Sequence, residues 1–255
     1  MMIIAMDIGN TNILWGFLEG DTITGRYRIA TKTAHTADEY GLMLRQFLAM
    51  SGYHMSDVED VIIASVVPKV QQTMITMLVK YLDIDPMVGG PGIRTGINVR
   101  IDEPKTLGAD CLVDCVGAYY EHGGPLLVLD LGTATTFNYV TADATITCGL
   151  IMAGIRAQAQ AMSSSTAALP EIEIAQPKSV LARNTRDAMQ AGAYYSFIGG
   201  VEYTITQFRR EIDEDFKVIA TGGMCHILEQ GTTMIDIVDP DLILKGLRTI
   251  YRKNS

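Results

Sequence analysis

Hydrophobic and polar positions predict the order strand, strand, strand, helix, strand, helix along the first half of the chain. The first three strands are predicted at 3–6, 12–17 and 22–29. The continuous apolar run at 61–67 is typical of a central strand buried on both faces. One helix follows a capping box at Thr36 and Glu39, and another begins at Pro68. Their core-facing residues, which recur at helical spacing, are predicted to be Tyr40, Met43, Leu44, Phe47, Leu48, Val70, Met74, Met77, Leu78 and Tyr81.

The second half of the chain restarts this pattern. Three strands, expected to be antiparallel, are predicted at 126–130, 135–140 and 144–151. Later elements are predicted as helices at 154–169, 184–212 and 242–251 and a strand at 216–220. The long helix at 184–212 carries one apolar seam, formed by Tyr194, Ile198, Val201, Ile205, Phe208 and Ile212. Gly199 and Gly200 lower its helix propensity, so we expect another backbone, or a subunit partner, to approach there.

Another helix is predicted to begin near Asp110, after a glycine-rich loop at 89–96. Its expected apolar stripe is Leu112, Val116, Tyr119 and Tyr120. A carboxylate at a helix start is typical of a cap, and from the residues alone this is the simpler interpretation of Asp110. Cys111 and Cys115 share a face of this helix, but no C-x-x-C pair or histidine cluster accompanies them. We therefore expect them to pack as small residues rather than to bind a metal.

Composition and charge exclude several classes of function. The chain has 255 residues, 48% hydrophobic and 19% charged, which is enough for two lobes with cores of their own. Its net charge of −9 argues against nucleic-acid or anionic-membrane surfaces, although a nucleotide can still bind through backbone donors and metal. We expect neither a signal peptide nor a membrane span. Four cysteines make no disulfide framework, so a cytoplasmic location is expected.

One strand-and-turn motif occurs twice, about half the chain apart. Residues 6–12 read MDIGNTN, and residues 129–135 read LDLGTAT. Each copy places an Asp at the end of an apolar run, then one residue, then Gly and a hydroxyl or amide side chain. Such a turn brings backbone N–H groups against a phosphate, and its Asp can hold a metal ion or its water. Asp-Gly turns are also common in hairpins, but two copies favour a duplicated fold that holds a nucleotide between its halves.

Other phosphate-binding patterns are missing from the sequence. It contains no G-x-x-x-x-G-K-[ST], and no G-x-G-x-x-G follows a predicted strand. A third glycine turn, Thr221-Gly222-Gly223, follows the strand at 216–220. In a nucleotide site it would let the backbone lie flat against adenine or ribose. The alternative is an ordinary turn that leads into a helix.

These motifs support a resemblance to a known family. The chain resembles the type III pantothenate kinases, members of the acetate-kinase, sugar-kinase and actin superfamily, over nearly its whole length. The matching stretches are 7–11, 65–68, 92–96, 108–110, 130–135, 166–170, 184–185 with 191–192, and 221–223. The resemblance implies an α/β, two-lobed, actin-like ATPase fold (ribonuclease H-like), duplicated, with a nucleotide cleft between the lobes. We expect lobes at 1–121 and 122–255, and the final helix could pack back on the first lobe.

The resemblance implies ATP-dependent phosphorylation of the primary hydroxyl of pantothenate to 4′-phosphopantothenate, the first step of coenzyme A biosynthesis. Asp7 would contact Mg²⁺ through the phosphates, and Asp130 would bind the monovalent cation, K⁺ or NH₄⁺. Residues implied to bind ATP are Asp7, Ile8, Gly9, Asn10, Thr11, Asn12, Gly132, Thr133, Gly222 and Gly223.

The acceptor side of the site is implied in the same way. Pantothenate would contact Gly108, Ala109, Asp110, Cys111 and Thr185, with Thr185 contributed across a homodimer interface. Asp110 would be catalytic, accepting the hydroxyl proton as the oxygen attacks phosphorus. This agrees with the chemistry, because phosphoryl transfer depends mostly on positioning and charge neutralisation, and a carboxylate can orient the hydroxyl.

The chain departs from the family pattern on the acceptor side. Cys111 stands where the family has an arginine, Ala153 where it tends to have proline, and Ile101 where an aromatic is frequent. A thiol cannot replace the two-pronged grip of a guanidinium on a carboxylate. Two alternatives therefore stay open: a kinase of another small hydroxy acid, or a degenerate nucleotide-binding regulatory paralogue, against which Asp7 and Asp110 argue. Candidates for the missing positive charge are Arg94, Arg100, Lys105 and Arg156.

Overall fold

The computed structural model describes residues 2–90 and 92–255, so Pro91 of the predicted loop at 89–96 lies outside the described residues. The chain forms two compact units. The first comprises the residues up to Ile97 together with Glu103–Glu121 and Leu242–Ser255. The second comprises Asn98–Asp102 and His122–Asp241. The last segment of the chain is thus grouped with the first unit, and a short piece before residue 103 with the second.

The main strands and helices follow the order that the hydrophobic pattern predicts, with further short elements between them. The strands are β1 (Met2–Ile8), β2 (Asn12–Glu19), β3 (Thr22–Ala30), β4 (Val58–Ser65), β5 (Met87–Val88), β6 (Asn98–Val99), β7 (Leu126–Leu131), β8 (Ala134–Val140), β9 (Thr145–Ala153), β10 (Lys217–Thr221) and β11 (Ile237–Val238). The α-helices are α1 (Ala37–Met50), α2 (Pro68–Leu82), α3 (Ala109–His122), α4 (Ile155–Ser164), α5 (Thr185–Glu211), α6 (His226–Gly231) and α7 (Leu242–Asn254). Short 3₁₀ helices are present at Met55–Asp57 and Pro104–Thr106.

The first unit is built on a five-stranded mixed sheet in the order β3-β2-β1-β4-β5. The strands β1, β2 and β3 are antiparallel neighbours, whereas β4 pairs in parallel with both β1 and β5. Alternate residues of β1 face the helices α1 and α2, and the cluster there includes Met6, Ile8 and Trp15. The opposite face contacts α7, where Leu244 packs directly on Gly16 of β2. Cover on both faces explains why β1 is apolar except at Asp7 and why β4 is apolar from Val61 to Ala64.

The second unit repeats this topology. Its sheet has the order β11-β10-β7-β8-β9-β6, so β7 to β11 take the places of β1 to β5, and β6 is added beside β9. The pairing directions also agree, because β7, β8 and β9 are antiparallel while β10 is parallel to β7 and β11. The core lies between this sheet and the helices α4, α5 and α6. The repeated sequence motif is therefore a repeat of the whole sheet arrangement.

Several helix predictions are confirmed by burial. Tyr40, Leu44 and Leu48 of α1 are buried, and the capping box at Thr36 is formed, with the Glu39 amide donating to the Thr36 hydroxyl. The seam of α5 is buried from Tyr194 to Ile205 and partly buried beyond it. Among the described helices, none combines the length and hydropathy that crossing a bilayer requires.

Three helix predictions are wrong in detail. The fourth helix ends at Ser164 rather than at residue 169, where Ser163, Ser164 and Thr166 hydroxyls donate to carbonyls one turn back and compete with the backbone. Tyr81 is exposed rather than buried, and its hydroxyl donates to Asp38 at the start of α1. Side-chain polarity at the tip of Tyr81 thus overrides its position in the stripe.

The predicted stripe of α3 is also wrong. Its buried residues run continuously from Val113 to Ala118, whereas Tyr120 is exposed. The reason is close packing against α7: a Cβ added at Gly117 would clash with the Leu242 carbonyl, and one at Gly246 with the Val113 carbonyl. Two backbones that approach this closely bury a helix over more than one stripe.

Candidate active site

The first acidic turn joins β1 to β2 and is held by a threonine from outside the motif. Ile8 pairs with Ile13, so the turn has four residues, Gly9–Asn12. The Gly9 amide donates to the Asn12 carbonyl at 3.0 Å. Thr31, just after β3, donates its hydroxyl to the Gly9 carbonyl at 2.7 Å and its amide to the Thr11 carbonyl at 2.9 Å. These bonds fix the turn from behind and leave the side chains of residues 10–12 exposed.

The second acidic turn, between β7 and β8, is one residue shorter. Leu131 pairs with Thr135, which leaves three residues, Gly132–Ala134, with the Gly132 amide donating to the Ala134 carbonyl at 3.0 Å. The start of α4 lies against it, because the Gly154 amide donates to the Thr133 carbonyl at 3.1 Å. A Cβ at Gly154 would clash with the Gly132 and Thr133 carbonyls. The close approach of these two carbonyls therefore requires a glycine at position 154.

The third glycine turn packs on the second acidic turn. Thr221 at the end of β10 is the parallel partner of Asp130. Gly222 follows with φ +90, and an added Cβ would clash with the Asp130 carboxylate and with the Leu131 amide nitrogen. The Met224 amide then donates to the Leu131 carbonyl at 3.3 Å. The turn does lead toward a helix, α6, but its glycine is also needed where it meets Asp130.

Burial also affects a thiol beside this turn. Cys225 is buried, and this burial raises the pKa of its thiol to about 11, with the Glu229 and Asp130 charges acting in the same direction. The thiol is therefore neutral near pH 7. A neutral, buried cysteine packs as a small apolar residue.

Asp110 is the second residue of α3, and both it and Cys111 are partly exposed. Its Oδ1 accepts a hydrogen bond from the amide of the next residue, Cys111, at 2.8 Å, whereas a capping carboxylate accepts from an amide two or three residues on. The helix proper starts from Gly108, whose carbonyl accepts from the Leu112 amide at 3.1 Å. A Cβ at Gly108 would clash with the Asp110 carboxylate. The position of the Asp110 carboxylate thus depends on a glycine at position 108.

The two cysteines of α3 differ in burial. Cys115, one turn after Cys111, is fully buried, and this burial raises the pKa of its thiol well above the ordinary value. Across residues 2–90 and 92–255, no group of three or more histidine, cysteine, aspartate or glutamate side chains is arranged to hold a metal ion. The carboxylates of Asp7 and Asp130 therefore lie outside any closed protein cage.

Thr185, the remaining predicted substrate contact, is the first residue of α5 and belongs to the second unit, whereas Asp110 belongs to the first. Asn184 caps this helix by accepting the Asp187 amide at 2.9 Å. Thr185 lines a groove of about 920 Å³ formed by α4, α5 and the segment between them. Its other walls include Gln158, Met162, Leu169, Arg183 and Met189.

The four cationic candidates lie in different places. The backbone of Arg94 is hydrogen-bonded to the Asn254 side chain. Two residues later, the Gly96 carbonyl accepts from the hydroxyl of Tyr120, a residue that lies about 15 Å from Asp110 along α3. Arg100 extends β6 beside β9, its amide bonded to the Ile146 carbonyl. Lys105 is in the 3₁₀ helix Pro104–Thr106, which ends two residues before Gly108. Arg156, in the first turn of α4, donates its Nε to the Met224 Sδ at 3.2 Å.

Sequence reasoning missed the residues that support these turns. Thr31, Gly154 and Met224 each contact a turn that is distant in the chain, and none belongs to a motif that names its partner. Only the pairing of neighbouring strands brings them to the same sheet edge. The one available signal was a glycine at the start of a predicted helix, Gly154.

Comparisons of the sequence with known proteins identify one family. A family model described as type III pantothenate kinase matches residues 3–207. A protein named type III pantothenate kinase from Bifidobacterium adolescentis is 61% identical over 254 residues, covering 100% of this chain and 99% of the relative. A protein of the same name from Agathobacter rectalis is 44% identical over 255 residues, covering 100% of this chain and 98% of the relative.

Among solved structures, a candidate 2-dehydro-3-deoxygalactonokinase from Sinorhizobium meliloti is similar in fold. The TM-score is 0.62 at 14% identity, and the match covers 98% of this chain and 96% of the other. At that identity the likeness concerns the fold alone, which is the actin-like, duplicated α/β fold of the sugar kinases. The sequence relationships are far closer, and by them the chain belongs to the type III pantothenate kinase family.

Proposed function

We propose that this protein transfers the γ-phosphoryl group of ATP to the primary hydroxyl of pantothenate, giving 4′-phosphopantothenate for coenzyme A biosynthesis. The observation that carries this proposal is the end-to-end relationship at 61% identity with a protein named for this activity. A different acceptor or a regulatory paralogue is not favoured, since relatives at 58% to 61% identity all bear the same name. A cytoplasmic location is part of the proposal, because ATP is the phosphoryl donor.

For ATP we propose that the glycine turns act on the phosphates. The first turn, Asp7 to Asn12, offers exposed amide and hydroxyl side chains on a backbone fixed by Thr31. The turn at Gly132 and Thr133 does the same in the second unit, and Gly222 with Gly223 would lie against the nucleoside. Preorganised donors of this kind neutralise developing charge without rearranging during the reaction.

The carboxylates fit the ions that the family uses. Mg²⁺ is commonly held by one or two carboxylates plus substrate phosphates, rather than by an all-protein cage. Asp7 at the end of a strand, outside any cluster of three ligands among the described residues, fits that arrangement. Asp130, beside the Gly222 backbone, would hold K⁺ or NH₄⁺. When bound, these ions would supply positive charge beside the triphosphate.

For the acceptor we propose that Asp110 receives the hydroxyl proton. Its partly exposed carboxylate is kept in place by the Cys111 amide and by contact with Gly108. Gly108, Ala109 and Cys111 would line the pantothenate site next to it. Among the cationic candidates, Lys105 lies nearest to Asp110 along the chain and is exposed, so it is our choice for the missing arginine's charge.

We propose that the protein is a homodimer. On α5 of the second unit, Tyr195 is 44% and Tyr203 66% exposed, and Gly192 and Gly199 have open space around them. No backbone of the described chain approaches Gly199, which leaves a subunit partner as the expected neighbour. Ile151 on the nearby strand β9 is 77% exposed. An apolar face of this kind is typical of a protein interface.

Steady-state kinetics with pantothenate and ATP test the activity. Formation of phosphopantothenate, followed by phosphorus NMR, at micromolar pantothenate would support the proposal and show that an arginine at position 111 is dispensable. Turnover only with another small hydroxy acid would identify a different acceptor. ATP binding without turnover on any acceptor would support the regulatory alternative.

Mixing two inactive variants tests whether Thr185 acts across the interface. Asp110→Asn and Thr185→Ala chains, each impaired alone, should regain activity after exchange of subunits, because one site of the mixed dimer is then intact. Random exchange makes half of the dimers mixed, so about a quarter of wild-type activity is expected. A mixture no more active than its components would place Thr185 in the site of its own chain.

A further inference from the structure

Arg156 lies beside the second acidic turn through two links within the second unit. It is in the first turn of α4, whose preceding residue Gly154 is bonded to the Thr133 carbonyl. Its Nε donates to the sulfur of Met224 at 3.2 Å. Met224 is itself buried and bonded to the Leu131 carbonyl. The arginine is therefore fixed at both its backbone and its Nε relative to the turn at Gly132.

No acidic group of the described residues neutralises the charge of Arg156. Within residues 2–90 and 92–255, its two terminal nitrogens make neither a hydrogen bond nor an ion pair. A thioether is a weak, uncharged acceptor, so the Met224 contact orients the guanidinium without neutralising it. The side chain is exposed, and its four terminal N–H groups are available to a ligand.

We propose that Arg156 is an anion-binding residue for the phosphates of the nucleoside triphosphate, acting together with the turn at Gly132 and Thr133. A guanidinium matches phosphate oxygens bidentately. The amino end of α4 adds partial positive charge in the same place. The inference rests on the proposed use of ATP and deepens it. It also assigns Arg156 to the phosphate donor rather than to the acceptor.

Titration calorimetry with full-length protein, Mg²⁺ and a non-hydrolysable ATP analogue tests this assignment. In Arg156→Gln the dissociation constant of the analogue should rise about tenfold, the loss expected for one charge-assisted contact. Adenosine, which has no phosphate, should bind equally well to both proteins. Arg156→Lys, which keeps a point charge without the fork, should lie between wild type and Arg156→Gln.

Arg210→Gln is the matched control, because Arg210 is also exposed but lies in the last turn of α5. It should bind the analogue as wild type does. Arg156→Gln binding the analogue within twofold of wild type, or losing adenosine equally, would overturn the assignment. Wild type that binds the analogue but does not phosphorylate pantothenate would refute the proposed acceptor and leave this test intact. Wild type that does not bind the analogue would refute both.

Discussion

Asp110, the proposed catalytic carboxylate, is held in place by its own helix. Its Oδ1 holds the Cys111 amide, so the carboxylate is oriented by the backbone of its own helix. An amide side chain can accept the same hydrogen bond but cannot take up a proton. The structural and chemical contributions of this residue can therefore be separated by one substitution.

We predict that Asp110→Asn loses turnover by a factor on the order of 10² to 10⁴, the usual contribution of a general base. The dissociation constant for ATP should change little, because the carboxylate is assigned to the acceptor. Initial rates and nucleotide titrations give both quantities. Asp102→Asn, at an exposed position outside α3, is the control for loss of one negative charge. Equal turnover in Asp110→Asn would remove its role as a base.

At Asp130 the prediction concerns ions rather than protons. Asp130→Ala should lose the stimulation of activity by K⁺ or NH₄⁺, because no other carboxylate is assigned to that ion. Rates measured with each chloride salt, at constant ionic strength, check this. Undiminished stimulation would place the monovalent cation elsewhere. A melting temperature close to that of wild type would show that loss of the carboxylate beside Gly222 does not destabilise the fold.

At the level of elements, the glycine turns join strands that are distant in sequence. Gly222 illustrates this, since its positive φ and its contact with Asp130 each exclude a side chain. A turn between β10 and α6 thereby fixes the position of a carboxylate at the end of β7. Stability and nucleotide binding should consequently change together at this position.

We predict that Gly222→Ala lowers the free energy of unfolding by about 1–3 kcal/mol, through backbone strain and the clash with Asp130. The matched control is Gly20→Ala, whose φ is also positive at 57 but where no atom lies within 4 Å of an added Cβ. Urea unfolding of both variants separates the two causes. A loss at Gly222 no greater than at Gly20 would show that the contact with Asp130 is unimportant.

For the whole molecule, the exposed face of α5 is the feature that calls for a partner. Tyr203→Glu should convert a dimer to a monomer, because a charge at a buried interface has no counterpart and costs desolvation. Light scattering at working concentration measures the change. Leu42→Glu on α1 is the control, since Leu42 is equally exposed at 66% but lies in the first unit. A monomeric wild type would contradict the dimer proposal.

Local chemistry was predictable at several places where one segment supplied all the interactions. The capping box of Thr36 and Glu39, the start of α2 at Pro68 and the seam of α5 each depend on residues within a few turns. Two failures occurred where distant segments met, whereas the early end of α4 came from its own serine and threonine hydroxyls. Tyr81 follows helical spacing but extends to Asp38, and α3 is buried around Gly117 because α7 packs closely against it.

The sequence by itself determined the order of the main strands and helices, the two acidic turns and the family. The spacing of hydrophobic residues and the chemistry of turns depend on neighbouring residues, so both can be recognised from the sequence alone. Tertiary structure decided which residues support those turns: Thr31 behind the first, and Gly154, Gly222 and Met224 against the second. Strand pairing creates these contacts between residues far apart in the chain, and no local pattern specifies them.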